Sequence, residues 1–377
     1  MLAQEIAQTT GLALNPILCM SALGAYHYFS APESERADLP WHVLPQFWGP
    51  LAVLLGLIFL KDTFGVAFPK LLKSPLDAAE ILFEKNTSAL IALPVLISSV
   101  QQGEFQQLQQ VGQQAYDLLF PVAVAAASTE AVVDSGLDFL LMSLTSITAI
   151  MIFIVVWVLS QAFNVLILLC PFSLGDAMLS AAKNSLVVLI IGLSGTYAGA
   201  FLSLLVIVLA LYLFPKTLRL VVFGTVMSHD LVFYKLLRSR GGEVPANGVS
   251  CFSSCYFGSV PPLTYGKLSL HNGVWQFSHR SFLFFTRKTI TTGIAPAECE
   301  VLRGILSPVL VTDKDGAQIQ LFRVRPKFYR ANQEVAEVLG VQWTDEAIIS
   351  KRVSGAVQWF LGVLRKAPRL DIPGASM

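Results

Sequence analysis

The chain changes solvent partway along, and that change limits what it can fold into more than any motif does. Up to residue 222 it consists largely of long apolar runs; beyond that, charged and polar residues return. A bilayer core about 30 Å thick is crossed by about 20 apolar residues in a helix. Runs at 6–29, 46–64, 84–100, 137–169, 180–195 and 197–218 therefore predict six transmembrane helices. Two of them, beginning at Asn86 and Ser185, are short. Polar, helix-compatible stretches from Leu76 to Lys85 and from Leu174 to Lys183 precede and extend them. Composition agrees: 14% of residues are charged and mean hydropathy is +0.62, whereas soluble domains carry about 25% charged residues.

Charge placement predicts orientation, because Lys and Arg favour cytoplasmic loops. Arg36 is the single basic residue among the first 60, and 101–136 holds Glu104, Asp117, Glu130 and Asp134 without Lys or Arg. Both segments are expected outside. The 61–85 loop carries Lys61, Lys70, Lys73 and Lys85, and the chain beyond 215 carries Lys216, Arg219, Lys235, Arg238 and Arg240. Both are expected inside, which puts both termini in the cytoplasm. Basic residues that alternate with acids speak against nucleic-acid binding, and no Lys or Arg precedes the first apolar run as a cleaved signal would require. The Gln-rich start of the 101–136 segment reads as an external cap or insert.

From residue 265 the period changes from helix to strand. Tyr265 to Leu270 and Val274 to Ser278 flank His271-Asn272-Gly273, a hairpin signature. A further strand is expected over Ser281–Phe285. A second hairpin is expected around Asp315-Gly316, between Val309–Val311 and Gln318–Val324, followed by a helix over Asn332–Leu339. The predicted domains are a helical membrane domain over 1–222, a cytoplasmic linker over 223–262, a β module over 263–345 and an amphipathic tail helix over 346–377. In that tail Ile349, Val353, Val357, Phe360, Leu361 and Leu364 recur at helical spacing, suited to an anionic membrane surface or to packing on the β module.

Two resemblances follow from these residues. Gly266-Lys267-Leu268, Gly273-Val274-Trp275-Gln276-Phe277 and the Asp315-Gly316 hairpin, closed by one helix, resemble a PH-like or GRAM-like module. Gly11 to Pro16, Lys61-Asp62, Pro75-Leu76-Asp77, Pro171 to Asp176, Thr217 to Leu220 and Phe223-Gly224 are similar to a bacterial membrane family catalogued as domain of unknown function 4126. That similarity implies a helical membrane architecture in a bacterial inner membrane, and no activity. The Gln-rich insert and the β module depart from it.

Polar residues at membrane depth mark candidate sites. Asn15 beside Pro16 interrupts the first span, Gln161 and Asn164 share a helix face, and Asp62, Asp77 and Asp176 lie near the inner boundary. Together they form a candidate polar site for a small solute or lipid, although interhelical hydrogen bonding and capping account for the same residues. Asp77 before Lys85-Asn86 echoes Asp176 before Lys183-Asn184, the pattern of a repeated hairpin. Gly195 and Gly199 have the spacing of a close helix contact, within the chain or in a homo-oligomer. Arg287, Lys288, Arg323, Arg325, Lys327 and Arg330 are candidate contacts for anionic headgroups.

No GxSxG, HExxH, P-loop or CxxC pattern occurs, and no enzymatic activity or cofactor is expected. Free, reduced thiols are expected; zinc held by Cys251, Cys255 and Cys299 with His271 or His279 is conceivable, but the spacing fits no strong pattern. The leading expectation is a membrane scaffold or sensor whose module contacts lipid headgroups or a protein partner, and the alternative is a transporter.

Overall fold

The computed structural model describes residues 2–39, 41–65, 132–170, 173–193, 196–237, 241–280, 286–304, 307–314, 317–347 and 369–370. These fall into two compact units, the first containing the chain up to 65 with 132–164 and 177–217, the second containing 165–176 and the chain from Leu218 on.

Among the described residues, six helices enter the first unit: α1 (Leu2–Leu14), α2 (Pro16–Ser30), α3 (Pro45–Gly65), α4 (Val132–Leu169), α5 (Ser173–Gly192) and α6 (Tyr197–Asp230). Their shared core includes Leu12, Ile17, Phe153, Val156, Val187 and Ala210. The other side of α6 is equally apolar yet exposed. Phe201, Leu204, Leu205, Val208 and Tyr212 face outward, while Val206, Ile207 and Ala210 face the core. A helix apolar on both its packed and its exposed face suits lipid rather than water.

Three helices among the described residues are long and apolar enough to cross a membrane: Ile150–Leu169, Gly175–Gly192 and Tyr197–Tyr234. The expectation of six spans is not supported. The 84–100 run lies outside the described residues, and 46–64 forms α3 without joining the three. The 6–29 run is two helices of 13 and 15 residues. Its break has a local cause: Asn15 is extended (φ −148°, ψ 90°) and Pro16 supplies the first residue of α2. The Asn15 side chain caps α2 by accepting from Leu18 N at 3.1 Å, and Ser160 Oγ donates to the Leu14 carbonyl. Both frayed ends therefore find partners within the helices.

The polar stretch before Ser185 does extend its span, since α5 begins at Ser173. Between α5 and α6, Thr196 accepts from Gly199 N at 3.3 Å and donates to Leu193 O at 2.8 Å. The last span does not stop at 218. It continues as α helix to Asp230 and as one π-helical segment over Leu231–Leu237.

The second unit carries an eight-stranded sheet built from β1 (Val249–Ser253), β3 (Tyr265–His271), β4 (Val274–Arg280), β5 (Arg287–Thr291), β6 (Cys299–Arg303), β7 (Val309–Lys314), β8 (Ala317–Val324) and β9 (Gln342–Ala347). Its order is β5-β4-β3-β1-β8-β7-β6-β9. Two antiparallel meanders, β1-β3-β4-β5 and β6-β7-β8, are joined by β1 pairing with β8. Helix α7 (Asn332–Leu339) follows and buries Val335, Ala336 and Leu339 in the sheet's core beside Trp275, Phe277 and Phe322. The Trp275 indole donates to the Leu339 carbonyl at 3.0 Å, meeting an acceptor that the helix end leaves open. Gly340, at φ 67°, completes the cap.

The first expected hairpin is present, with Asn272 and Gly273 both at positive φ (50° and 74°) as a two-residue turn requires. In the second, Lys314 pairs with Ala317; its turn residues lie outside the described set, as does the strand expected over Ser281–Phe285. The sheet begins at Val249, inside the stretch read as linker. Of the tail, Glu346 and Ala347 close β9, Arg369–Leu370 form β10 beside β2 (Tyr256–Phe257), and the remainder lies outside the described residues.

Candidate functional site

Two polar constellations stand out, one in each unit. In the first, Lys183 sits midway along α5 and is only 6% exposed. Its Nζ donates to Asn164 Oδ1 on α4 at 2.7 Å. Gln161, one turn earlier on α4, is 1% exposed, and its Nε2 has no hydrogen-bond partner among the described residues. Asn15 Nδ2 donates to Asn184 Oδ1 at 3.2 Å, tying the break in the first run to the residue after Lys183. A cation at this depth costs several kcal/mol, on the order of 3, so its retention asks for a reason. The shared face expected of Gln161 and Asn164 is present. Lys183 and Asn184 are additions, and their signal was a charge at the centre of a helix otherwise apolar enough to span. Asp176 is buried in the first turn of α5 within the second unit. Asp62 lies near the end of α3, and Asp77 lies outside the described residues.

Gly199 has a nearer role than an oligomer contact. A Cβ there would overlap the Leu193 carbonyl, so the glycine admits the tight turn between α5 and α6. Gly195 lies outside the described residues.

In the second unit the end of α6 meets the outer face of the sheet. Phe223 packs edge-on against Phe252 of β1 at 4.8 Å, and Phe252 against Tyr265 of β3 at 5.1 Å. Seven residues after Phe223, Asp230 is wholly buried. Arg325, at the end of β8, grips it with both arms of its fork, Nη2 to Oδ1 at 2.6 Å and Nε to Oδ2 at 2.9 Å. Arg325 Nη1 also reaches the Tyr265 hydroxyl at 3.3 Å. Burial lowers the Arg325 pKa, but the hydrogen bonds and charge of Asp230, with those of Tyr265, outweigh it and hold the guanidinium above its ordinary value. Lys327 is pulled below its ordinary value by burial and by Arg325, against the opposing pull of Asp230.

The six headgroup candidates thus divide. Arg325 is committed to Asp230. Arg323 is half-buried within β8, and burial lowers its pKa to about 10. Lys327 lies over the Phe328 ring and Arg330 beside Tyr329. Arg287 and Lys288 are exposed on β5, the edge strand of its meander. Neither Asp230 nor Arg280 was among the expected site residues. Asp230 had a signal, being the one acidic residue between Asp176 and Glu243. So had Arg280: between Glu243 and Glu298 there is no acid at all, while Lys267, Arg280, Arg287 and Lys288 are present. Across this meander the basic residues do not alternate with acids.

Cys251, Cys255 and Cys299 are buried and free. Burial pushes the Cys255 thiol up to about 12 and Cys299 up to about 11, so both are held as thiols. Among the described residues no group of three or more His, Cys, Asp or Glu side chains is placed to hold a metal.

No family model, curated protein or solved structure matches the chain.

Proposed function

We propose that this chain is a membrane scaffold or sensor: apolar helices anchor a C-terminal PH-like or GRAM-like module, which contacts lipid headgroups or a protein partner at the cytoplasmic surface. The observation that carries the reading is the Asp230–Arg325 pair, reinforced by Phe223 and Phe252. A module joined by a loose linker samples many positions. One gripped by a buried, bidentate ion pair is held at the end of the helix itself. Tethering of this kind raises the effective concentration of weak headgroup contacts. Two meanders closed by one helix support the PH-like part of the reading, and the Lys and Arg residues beyond 215 support the cytoplasmic placement. The inner-membrane setting rests on the resemblance of residues 1–224 to a bacterial membrane family.

The test is native mass spectrometry of the full-length protein released gently from its own membrane. Retained phospholipid or a stoichiometric protein, lost from an Arg325→Ala variant that still folds, is the expected outcome. A protein that carries neither overturns the reading.

A second reading, passage of a small solute or lipid, is favoured by Lys183, Asn164 and Gln161 in the first unit. A bonded lysine and asparagine beside an unpartnered buried amide is an arrangement a polar solute can complete. In the same experiment, a small molecule retained by the wild type and lost from Gln161→Leu supports it.

A further inference from the structure

The register of the first meander brings Arg280 of β4 directly opposite Arg287 of β5. Residues directly opposite in an antiparallel pair share one face of the sheet with close Cβ atoms, and like charges there repel. Both arginines are exposed, and neither has an ion-pair or hydrogen-bond partner among the described residues. Acids cannot relieve them locally, since none occurs between Glu243 and Glu298. The next residue pairs on that face are neutral or add charge: Ser278 lies opposite Thr289 and, on its other side, Lys267.

The face is the one that meets α6. Along β3 and β4 the inward residues are Gly266, Leu268, Trp275, Phe277 and His279, which leaves Tyr265 and Arg280 on the outer side with Phe252. At about 4.8 Å per strand, Arg280 and Arg287 lie roughly 10 and 14 Å across the sheet from Phe252. Phe252 packs on Phe223, which follows Arg219 by four residues, about 6 Å along the helix axis. The row Phe252–Tyr265–Arg280–Arg287 therefore starts from the end of the helix that carries Arg219, on the side expected to face an anionic leaflet.

We infer that Arg280 and Arg287 form a docking site for the phosphate of an anionic membrane lipid. Two guanidinium forks on neighbouring strands match the oxygens of one phosphate, and a bound phosphate turns their mutual repulsion into shared attraction. This rests on the sensor reading above and specifies its ligand and residues.

The experiment reconstitutes the full-length protein in nanodiscs of phosphatidylcholine alone, or with phosphatidylserine at one lipid in three, and follows hydrogen exchange of β4 and β5. Wild-type protein is expected to exchange more slowly in the anionic discs. The Arg280→Gln/Arg287→Gln variant should lose that difference, because each charge near an anionic leaflet favours docking about fivefold and two together about 30-fold. An Arg303→Gln variant, altered at an exposed position on β6, controls for lost charge and should keep it. Inorganic phosphate added to neutral discs should not reproduce the protection. Equal exchange in both discs, protection that survives the double variant, or protection by free phosphate or by RNA in place of anionic lipid overturns the assignment. Native mass spectrometry separates the two failures. If wild-type protein retains lipid or a partner while the double variant changes nothing, the sensor reading stands and the site lies elsewhere.

Discussion

A carboxylate with no access to water survives only if its charge is met on the spot, and Asp230 is met by Arg325. Removing one member of such a pair leaves the other charge buried, at about 3–5 kcal/mol. Arg325→Ala is therefore expected to lower stability by that amount in detergent, measured by denaturant unfolding. Asp230→Asn combined with Arg325→Gln should recover part of the loss, a coupling that a double-mutant cycle reads directly. His279 sets a different dependence. It is buried in the sheet against Phe277, and burial, aided by Lys288 and opposed by a backbone hydrogen bond at Arg280, keeps its pKa below the ordinary value. Its contribution is complete above about pH 6.5. As pH falls below that value the unfolded chain takes up a proton that the folded chain resists, and stability declines. Melting curves at pH 7.5 and 5.5 should show this, and His279→Gln should flatten the difference.

At the scale of elements, local sequence chemistry carried most of the outcome wherever a turn or cap dictates it. Asn272-Gly273 adopts the positive φ pair its composition favours, and Asn332–Leu339 is the helix its pattern predicts. Asn15-Pro16 breaks the first apolar run as Pro requires, and the exposed ends are taken up by Asn15 itself and by Ser160. Strand β1 was illegible for a physical reason. Its five residues mix Ser and Cys with Val and Phe, and four of them are buried because one face meets the core while Phe252 on the other meets α6. A strand buried on both sides shows no alternation to read. Close approach offers a further test: Gly199→Ala pushes a methyl into the Leu193 carbonyl and should cost about 1–3 kcal/mol, seen as a lower melting temperature of the full chain.

On the scale of the whole molecule, the second unit takes in the end of α6 as well as the sheet. The units divide between Thr217 and Leu218, close to the boundary near 222 that hydropathy suggested, and 165–176 also belongs to the second unit. A chain truncated after 240 keeps Phe223, Met227 and Asp230 but loses their partners. Its expected behaviour is poor recovery and aggregation on size-exclusion chromatography, improved by Asp230→Asn, which removes the orphaned charge.

What the amino-acid order determined by itself was local: the lengths of the apolar runs, the helix break at Asn15-Pro16, the hairpin at Asn272-Gly273 and the acid-free stretch between Glu243 and Glu298. Periodicity and turn chemistry act within a few residues, so they are visible without a fold. Only the tertiary structure decided the pairings. Asp230 meets a residue 95 positions away, Lys183 meets Asn164 across two helices, and sheet register alone sets Arg280 opposite Arg287. A charge in a sequence declares that it needs a partner. Which partner it receives depends on distances that exist only once helices have packed and strands have chosen their register.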